Sequence, residues 1–478
     1  MSDELLTWGV SLAVVAAIVL PYVIAFRRRR HTDRARKAEA VQLGFDCPTA
    51  QYPFVDPMAC IGCGSCVAAC PEGDVLGVVG GVATVVNGLR CVGHARCEIA
   101  CPVGAIKVGL GDVKTRVDVP LMDEWHETSV PGMFVAGELT GMALVKNAVS
   151  HGRKVVDRIA QRAAGARGQG TGDIYDIAVV GAGPAGLTAA ALARERGLSS
   201  VLLEQEPDLG GTILHYPRRK LVLVQALEIP FLGTLREGEY PKEDLLETFQ
   251  DLTRRARLNV RFGAKVTGVV HPNGHFVVQT GGAEFPARFV ILALGRRGTP
   301  RRLGVPGEER PKVTYQLVDA ASYEGQRVLV VGGGDSAVEA ALGLARQRGN
   351  EVTLSYRREK LVRIKKKNEE RIAELLAKHR IEGAFGTEVE EIGPASVRLR
   401  TPVGPRELPN DYVFVLAGGE PPFELLRQMG IRFGGGAAPP TSDRFAHPLG
   451  VLAGTAASIK PGRATKIPSS PPRRPRNA

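Results

Sequence analysis

The sequence predicts an α/β protein in which two parallel-sheet domains follow a small α+β domain and one transmembrane helix. Three observations predict this arrangement: a strand–glycine turn–helix unit that occurs twice, one window that holds all eight cysteines, and an uncharged stretch of 22 residues near the start. The 478 residues allow two to four domains at roughly 100 to 200 residues each. Hydrophobic residues at 44% and charged residues at 23% are ordinary for a globular protein, which excludes wholesale disorder and a polytopic membrane protein.

Residues 5–26 are predicted to form the transmembrane helix, because they carry no charge and span a hydrocarbon core of about 30 Å at about 1.5 Å per residue. Asp3 and Glu4 precede the segment and four arginines at 27–30 follow it, which is the reverse of a secretory signal. We therefore expect an uncleaved single-pass anchor in the cell inner membrane, with the C-terminal region in the cytoplasm. The alternative is a buried core helix, although such helices are seldom apolar on every face.

The net charge of +12 is confined to two segments. Residues 27–37 contain seven Lys or Arg and one Asp, and residues 460–478 contain six Lys or Arg, so each segment carries half of the excess. The remainder is neutral and provides no basic groove, so we predict no nucleic-acid partner. Residues 27–50 are interpreted as a basic juxtamembrane tether on anionic lipid, and residues 441–478 as a mostly disordered tail.

The cysteines follow two related patterns within residues 51–110. The first is Cys-x2-Cys-x2-Cys-x3-Cys-Pro from Cys60 to Pro71, and the second, from Cys91 to Pro102, has His94 in the second place. The first spacing is that of bacterial iron–sulfur sites, whereas zinc sites favour two separated cysteine pairs. Here the sequence resembles the bacterial two-cluster ferredoxins, and this resemblance implies two [4Fe–4S] clusters.

The resemblance also implies how the cysteines are shared. One cluster is assigned to the Cys63 set, which comprises Cys60, Cys63, Cys66 and Cys101. The other is assigned to the His94 set, which comprises Cys70, Cys91, His94 and Cys97. We favour His94 as a ligand that raises the potential, and a three-iron cluster or an open iron are the alternatives. Cys47 is interpreted as an ordinary thiol or a spare ligand.

The first glycine unit occupies residues 174–204. An apolar strand ends at Gly181-Ala-Gly183-Pro184-Ala185-Gly186, an alanine-rich helix follows, and the next strand ends at Glu204. The glycines allow a tight turn, the close approach of a pyrophosphate and close helix packing, and the carboxylate accepts from a ribose hydroxyl. The unit is therefore predicted to be a Rossmann-type dinucleotide site.

The second unit repeats this order after a strand at 327–331. Its turn contains Gly332, Gly334, Asp335, Ser336 and Ala337. The next strand ends with basic rather than acidic residues, namely Arg357 and Arg358, with Arg363 beyond them. Guanidinium groups suit a 2′-phosphate, so NADPH is favoured over NADH. The alternative is that these arginines are solvated surface charge.

Two such folds in tandem resemble the thioredoxin-reductase-like flavoproteins over residues 174–440. The resemblance assigns FAD to the first fold (174–310, including Gly295), NAD(P) to the second (311–410) and a return to the FAD domain to residues 411–440. The family's redox Cys-x-x-Cys is expected shortly before the second glycine turn, yet residues 312–326 contain no cysteine. The chain therefore resembles ferredoxin–NADP reductases and cysteine-free members of the fold more closely.

The closing motif of that family lies in an unexpected place. Residues 128–138, TSVPGMFVAGE, match its T-x-x-P-G-x-F-A-x-G-D pattern, and a helix is predicted over 140–164. We therefore expect a permuted FAD domain in which residues 111–165 supply the closing strand and a helix whose N-terminus faces the flavin. Gly137 and Glu138 would contact FAD, and the longer Glu138 replaces the usual aspartate. The alternative is an unrelated linker helix.

These parts together predict a membrane-anchored FAD-dependent NAD(P)H oxidoreductase that exchanges electrons between NADPH, FAD, the clusters and a one-electron partner. The partner is expected to be a ferredoxin-like protein, a quinone or a membrane complex, and a homodimer is an expectation by analogy alone. No catalytic acid, base or nucleophile is required. Two other functions stay open: a flavin reductase of a small disulfide or other small substrate, and a redox-sensing or electron-transfer subunit with little turnover.

Overall fold

The computed structural model describes residues 3–42, 51–110, 116–163, 174–272 and 274–434. Cys47, the tail at 441–478 and the ends of some predicted segments lie outside this part of the chain. The α/β class, with two parallel-sheet domains behind a small cysteine-rich domain, is confirmed.

Helix α1 (Asp3–Gln42) contains the predicted transmembrane segment and most of the predicted tether in one continuous helix. It is long and apolar enough to cross a membrane, and apolar side chains such as Trp8 and Leu12 are exposed. Its C-terminal part contacts the next domain, because the buried carboxylate of Asp33 accepts a hydrogen bond from the backbone N–H of Val78 at 2.9 Å. Residues 27–42 of the predicted tether are therefore helical and contact the cysteine-rich domain.

The cysteine-rich domain consists of two antiparallel strand pairs and two short helices. Its elements are β1 (Tyr52–Val55), α2 (Ser65–Ala69), β2 (Leu76–Val79), β3 (Val82–Val85), α3 (Arg96–Ile99) and β4 (Ile106–Gly109). Strand β1 pairs with β4, and β2 pairs with β3 as a hairpin. Cys66 and Cys97 are buried in the core between these elements, and four more cysteines pack around them.

The FAD-type domain contains a seven-stranded sheet and two separate antiparallel strand pairs. Its elements are β5 (Met133–Val135), α4 (Val145–Ala163), β6 (Tyr175–Val180), α5 (Pro184–Glu195), β7 (Ser200–Leu203), β8 (Leu221–Val224), β9 (Leu227–Ile229), β10 (Gly233–Leu235), β11 (Gly238–Pro241), α6 (Lys242–Ala256), β12 (Val260–Arg261), β13 (Val266–Val270), β14 (Phe276–Thr280) and β15 (Glu284–Leu292). Six strands of the large sheet follow the order β12-β7-β6-β15-β14-β13, and the seventh, β5, pairs with β15. The separate pairs are β8 with β11 and β9 with β10. Strands β12, β7, β6 and β15 run parallel, and β13 and β14 extend the sheet as an antiparallel hairpin.

Strand β5 comes from upstream of the first glycine turn yet belongs to this sheet. It pairs parallel with β15, with Met133 opposite Val290 and Val135 opposite Leu292. Helix α4, which follows it, packs against α5 over one apolar core. This is the position that the permuted arrangement requires.

The second nucleotide-binding domain has a five-stranded parallel sheet in the order β17-β24-β18-β19-β20, beside a three-stranded antiparallel sheet. Its elements, with the flanking linker pair and last helix, are β16 (Thr299–Pro300), β17 (Val313–Thr314), β18 (Arg327–Val331), α7 (Asp335–Leu344), β19 (Glu351–Tyr356), α8 (Lys366–Ala377), β20 (Glu382–Phe385), β21 (Glu388–Ile392), β22 (Ser396–Thr401), β23 (Gly404–Pro409), β24 (Tyr412–Val415), β25 (Gly419–Glu420) and α9 (Phe423–Gln428).

Two predicted boundaries are wrong. Strand β24 belongs to the second sheet rather than to the return segment, because it pairs parallel with β18 from Tyr412 to Val415. The chain returns later, through the short antiparallel pair β16–β25. The helix expected from residue 140 begins at Val145, because Gly141 and Leu144 both adopt φ of +83°, which interrupts a right-handed helix.

Candidate functional site: a cleft shared by three domains

The first glycine turn has the geometry of a phosphate-binding turn. Gly181 adopts φ of +104°, and a Cβ there would lie 2.6 Å from the carbonyl oxygen of Ala293. A Cβ on Gly186 would collide with the carbonyl oxygen of Gly181, so its absence lets α5 pack against β6. A Cβ on Gly183 would meet nothing closer than Gly211 Cα at 3.9 Å, so this position faces open space. Each of the three predicted roles thus belongs to a different glycine: Gly181 makes the tight turn, Gly183 leaves space for the pyrophosphate, and Gly186 allows the helix to pack on the strand.

Glu204 lies at the end of β7 with its carboxylate beside this turn. It is buried, and its two oxygens accept hydrogen bonds from the N–H of Ala182 at 2.6 Å and of Glu206 at 2.9 Å. An ionised carboxylate has further lone pairs that can accept from a ribose hydroxyl. The backbone therefore orients Glu204 for the role that the sequence predicts.

Residues of the segment that is predicted to be permuted form the opposite wall. Gly137 adopts φ of +73° and packs beside Ala185, and a short 3₁₀ turn (Gly137–Thr140) carries Glu138 into the cleft. Residues 142–145 also line the cleft, so the N-terminus of α4 lies there, a few residues later than expected. A Cβ on Gly152 would collide with the carbonyl oxygen of Ala185, so this glycine allows α4 to approach the first turn closely.

These walls enclose a cleft of about 1590 Å³, large enough for a dinucleotide. All predicted FAD contacts except Gly186 line it, namely Gly137, Glu138, Gly181, Gly183, Pro184, Ala185, Glu204 and Gly295. Sequence reasoning missed other lining residues, among them Thr212 and Arg297. The Nη1 atom of Arg297 is buried without a hydrogen-bond partner among the described residues, and such a guanidinium suits a phosphate anion. The Gly-Gly pair at 210–211 was the signal that could have located Thr212.

The second glycine turn is formed in the same way but opens elsewhere. Gly332 adopts φ of +147°, and the ring of Tyr356 packs so closely on Gly333 that a side chain at that position would collide with it. A Cβ on Gly334 would meet nothing within 4 Å. Of this turn, only Asp335 lines the cleft. Its carboxylate accepts hydrogen bonds from the N–H of Lys365 at 2.9 Å and from the Nδ2 of Asn368 at 2.7 Å.

The predicted 2′-phosphate contacts lie on the surface of the second domain. Arg357, Arg358 and Arg363 are all exposed, as is Ser336, while Ala337 is buried behind the turn. The structure therefore does not bring these arginines to the cleft. Arg357 and Arg358 directly follow the C-terminal end of β19, which is where a nucleotide bound at the second turn would place its ribose, and Arg363 lies further along the chain.

The His94 set converges on a small cavity of its own, since all four members line it. Burial raises the pKa of Cys91 and of Cys97 to about 11, and burial lowers the pKa of His94. Cluster ligation needs thiolates and a neutral imidazole, so iron binding would displace the thiol protons, whereas burial already disfavours the charged form of the imidazole. The donors thus fit an iron–sulfur cluster.

The Cys63 set packs against the β2–β3 hairpin. Cys60 Sγ accepts a hydrogen bond from the N–H of Ala83 at 3.3 Å, and Cys101 Sγ accepts one from the N–H of Ala105 at 3.2 Å. Burial raises the pKa of Cys66 to about 11, whereas Cys63 is exposed and hydrogen bonds to Ser65 lower its pKa. Backbone N–H groups directed at sulfur are a usual feature of iron–sulfur sites.

The cysteine-rich domain also contacts the second nucleotide-binding domain. The guanidinium of Arg90 is buried and lies 2.5 Å from Glu369 Oε2. Glu72 Oε1 lies 3.6 Å from Lys365 Nζ and 3.8 Å from His94 Nε2. Burial raises the pKa of Glu72, and the facing Lys365 opposes that rise. Glu72 therefore connects a predicted cluster ligand with the second nucleotide-binding domain.

Comparison with known families agrees with this geometry. The model of the pyridine nucleotide-disulphide oxidoreductases matches residues 178–442, which is more than half of the chain. The chain belongs to this family. A 4Fe-4S dicluster domain model matches residues 52–102. The pyridine nucleotide-disulphide oxidoreductase assignment implies FAD and NAD(P)H, the dicluster domain implies iron–sulfur clusters, and the protein is an oxidoreductase.

Several oxidoreductases are similar to this chain. A ferredoxin–NADP reductase of Ignicoccus hospitalis is 30% identical over 264 residues, which cover 54% of this chain and 82% of that protein. The bacilliredoxin reductase Bdr of Bacillus subtilis is 30% identical over 53% of this chain and 79% of its own. The solved structure of the bacillithiol disulfide reductase Bdr from Staphylococcus aureus has a TM-score of 0.50 and 26% identity, and the match covers 54% of this chain and 81% of that one.

Proposed function

We propose that this protein is a membrane-anchored NADPH oxidoreductase in which FAD and two iron–sulfur clusters connect NADPH with a one-electron partner. The observation that carries the proposal is the shared wall of the cleft. Pro71, Glu72, Val92 and His94 of the cysteine-rich domain line the same cleft as Gly181 and Glu204. A flavin is the group that accepts a hydride pair and releases single electrons, so its site and the cluster domain belong to one reaction path.

The chain's own residues bind and orient the groups. Glu204 and the first glycine turn would hold the adenosine and pyrophosphate of FAD, and Gly137 with the N-terminus of α4 would face its ring. A helix N-terminus carries about half a positive charge, which stabilises a reduced, anionic ring. Arg357, Arg358 and Arg363 would select NADPH by its 2′-phosphate.

The membrane location rests on α1. Its apolar half is exposed, and four arginines at 27–30 follow that half. Positive charges flank the cytoplasmic side of a membrane span, which supports a single-pass anchor in the inner membrane with both nucleotide-binding domains in the cytoplasm. A ferredoxin-like protein, a quinone or a membrane complex are the proposed partners, and the similarity to ferredoxin–NADP reductases favours a one-electron carrier.

An anaerobic titration of the detergent-solubilised protein with NADPH tests this function, with visible absorbance and electron paramagnetic resonance (EPR) recorded together. We expect the flavin absorbance to bleach and cluster signals to appear in one-electron steps. Flavin that stays oxidised would contradict the proposal. Flavin that bleaches while dithionite-reducible clusters stay oxidised would mean that electrons enter at the clusters and leave as NADPH.

A second candidate function is the reduction of a small disulfide at the flavin. The similarity to the bacilliredoxin reductase Bdr favours it, and so does the absence of a cysteine pair in residues 312–326, because the electrons would then pass directly from flavin to substrate. Steady turnover of NADPH with bacillithiol disulfide, in the absence of any one-electron acceptor, would support this candidate. Turnover only with a one-electron acceptor would eliminate it.

A further inference from the structure

The two cysteine sets stand in different relations to the flavin cleft. Pro71, Glu72, Val92 and His94 line both the cleft and the small cavity of the His94 set, so a single layer of residues separates the two spaces. Among the described residues, no member of the Cys63 set lines the cleft. The His94 set is therefore the one adjacent to the flavin site.

Contacts from both nucleotide-binding domains hold this wall in place. The Nε2 of Gln225, in the FAD-type domain, donates a hydrogen bond to the backbone carbonyl oxygen of His94 at 3.3 Å. Arg96, two residues further on, forms an ion pair with Glu237 of the same domain. From the second domain, Lys365 approaches Glu72. The loop of the His94 set is thus fixed against the flavoprotein part, as a short electron path requires.

The Cys63 set and helix α1 contact the same β2–β3 hairpin. Within this hairpin, the N–H of Ala83 donates a hydrogen bond to Cys60 Sγ, and the N–H of Val78 donates one to the carboxylate of Asp33 in α1. Cys63 itself is exposed, and its apolar surroundings are exposed as well, with Met58 at 92% and Ile61 at 64%. This set therefore has an open face, whereas the His94 set has a covered one.

The two sets meet inside the domain. Cys66 of the Cys63 set and Cys97 of the His94 set are both buried in one core, between Val75, Leu76 and Ile106. A path between the sets therefore runs through packed protein rather than through solvent. No comparable contact joins the cleft directly to Cys63 in the described part of the chain.

We propose an order for the electron transfer. Electrons from the flavin pass first to the cluster that the His94 set would hold and only then to the cluster of the Cys63 set. The exchange with the partner takes place at the exposed Cys63 side. The inference rests on the proposed function and adds the order of its centres. The electrons balance: one NADPH would give a hydride, which carries two electrons, to the flavin, the cluster held by each set would take one of these electrons, and NADP⁺ and one proton would be released. A one-electron partner then reoxidises the sets one electron at a time.

A matched pair of double variants of the full-length, cluster-loaded protein tests this order. Cys91→Ala with Cys97→Ala removes the His94 set, and Cys60→Ala with Cys63→Ala removes the other. Freeze-quench EPR after mixing with NADPH is the readout, and dithionite reduction verifies the remaining cluster. Without the His94 set, we expect the remaining cluster to stay oxidised while the flavin bleaches. Without the Cys63 set, we expect the remaining cluster to be reduced as fast as in the unsubstituted protein.

Two results would overturn the order: reduction of the Cys63 set at the unsubstituted rate in the protein without the His94 set, or loss of reduction of the His94 set in the other variant. If a double variant does not fold, the order of reduction is measured in the unsubstituted protein instead. Comparison with His94→Cys identifies the EPR signal of the His94 set, because that signal shifts in this variant. In the unsubstituted protein this signal should rise first after mixing with NADPH, and a later rise refutes the order. Flavin that NADPH does not bleach in any of these proteins would instead overturn the proposed function, and the order with it.

Discussion

Acid should destabilise the FAD-type domain through two buried histidines behind the cleft. His126 and His151 are each 7% exposed, and their rings meet edge to face with centroids 4.5 Å apart. Burial, with smaller contributions from the neighbouring charges, lowers the pKa of His126 to about 3 and that of His151 to about 4; Lys154 contributes to both shifts, and His151 contributes to that of His126. The rings are therefore neutral in the fold, held beside Thr140, whose Oγ1 lies 3.4 Å from His151 Nδ1.

The direction of this pH effect on the free energy of unfolding follows from proton binding. The pKa of each histidine in the fold is lower than its value of about 6.5 in the unfolded chain, so the unfolded chain binds more protons below that pH. The contribution of the two neutral histidines to stability is fully present above a pH of about 6.5. It is lost as the pH falls from there toward the pKa values that the histidines have in the fold. At a pH of about 5, each histidine lowers the free energy of unfolding by about 1.5 × 1.36, or about 2 kcal/mol, relative to neutral pH.

The variant His126→Asn with His151→Gln should remove this acid sensitivity. Asparagine is chosen for position 126 because that residue has φ of +66°, a conformation that asparagine tolerates. Trp125 lies beside Lys154 and Arg158, so its fluorescence reports on this region, and Trp8→Phe in both proteins removes the other tryptophan. Urea unfolding at neutral pH and at pH of about 5 gives the comparison. Equal pH dependence in the two proteins would refute the reasoning.

Three further perturbations follow from the structure. Gly183→Val should abolish FAD binding while the domain stays folded, because the new side chain enters open cleft space; a full flavin complement in that variant would contradict the assignment. Arg357→Ala with Arg358→Ala should raise the KM for NADPH tenfold or more, at about 1.5–3 kcal/mol per charged hydrogen bond, and leave the KM for NADH nearly unchanged; equal effects on both would mean that these residues are surface charge. Asp33→Ala should speed the loss of iron to a chelator, because a buried carboxylate hydrogen bond of about 1.5–3 kcal/mol holds α1 on the cluster domain, whereas the exposed Glu39→Ala should not.

Local sequence patterns were sufficient to predict many features of this protein. A glycine turn such as the one at Gly181 is dictated by backbone conformation and by close approach within about 30 residues, and the spacing of the cysteines is set by the size of a cluster. The permuted motif at residues 128–138 was also recognisable, because a strand followed by a glycine turn keeps its pattern wherever the chain places it.

Other features depended on contacts that no local pattern announces. The start of α4 was misplaced because Leu144 adopts a left-handed conformation that its residue type does not favour. Strand β24 was assigned to the return segment because an apolar run does not reveal which sheet it joins. Asp33 and Gln225 looked like ordinary polar residues, yet they bind partners 45 and 131 positions away.

The sequence by itself determined the chemistry of this protein: two nucleotide-binding folds, a cysteine-rich domain with iron–sulfur spacing, and an apolar helix. These are properties of short segments whose residue types must meet the demands of a phosphate, a cluster or a bilayer. Only the tertiary structure decided that His94 lies on the wall of the flavin cleft and that Cys63 faces outward. The physical reason is that the order of the sites depends on how whole domains pack, and that packing is the sum of many contacts between residues far apart in the chain.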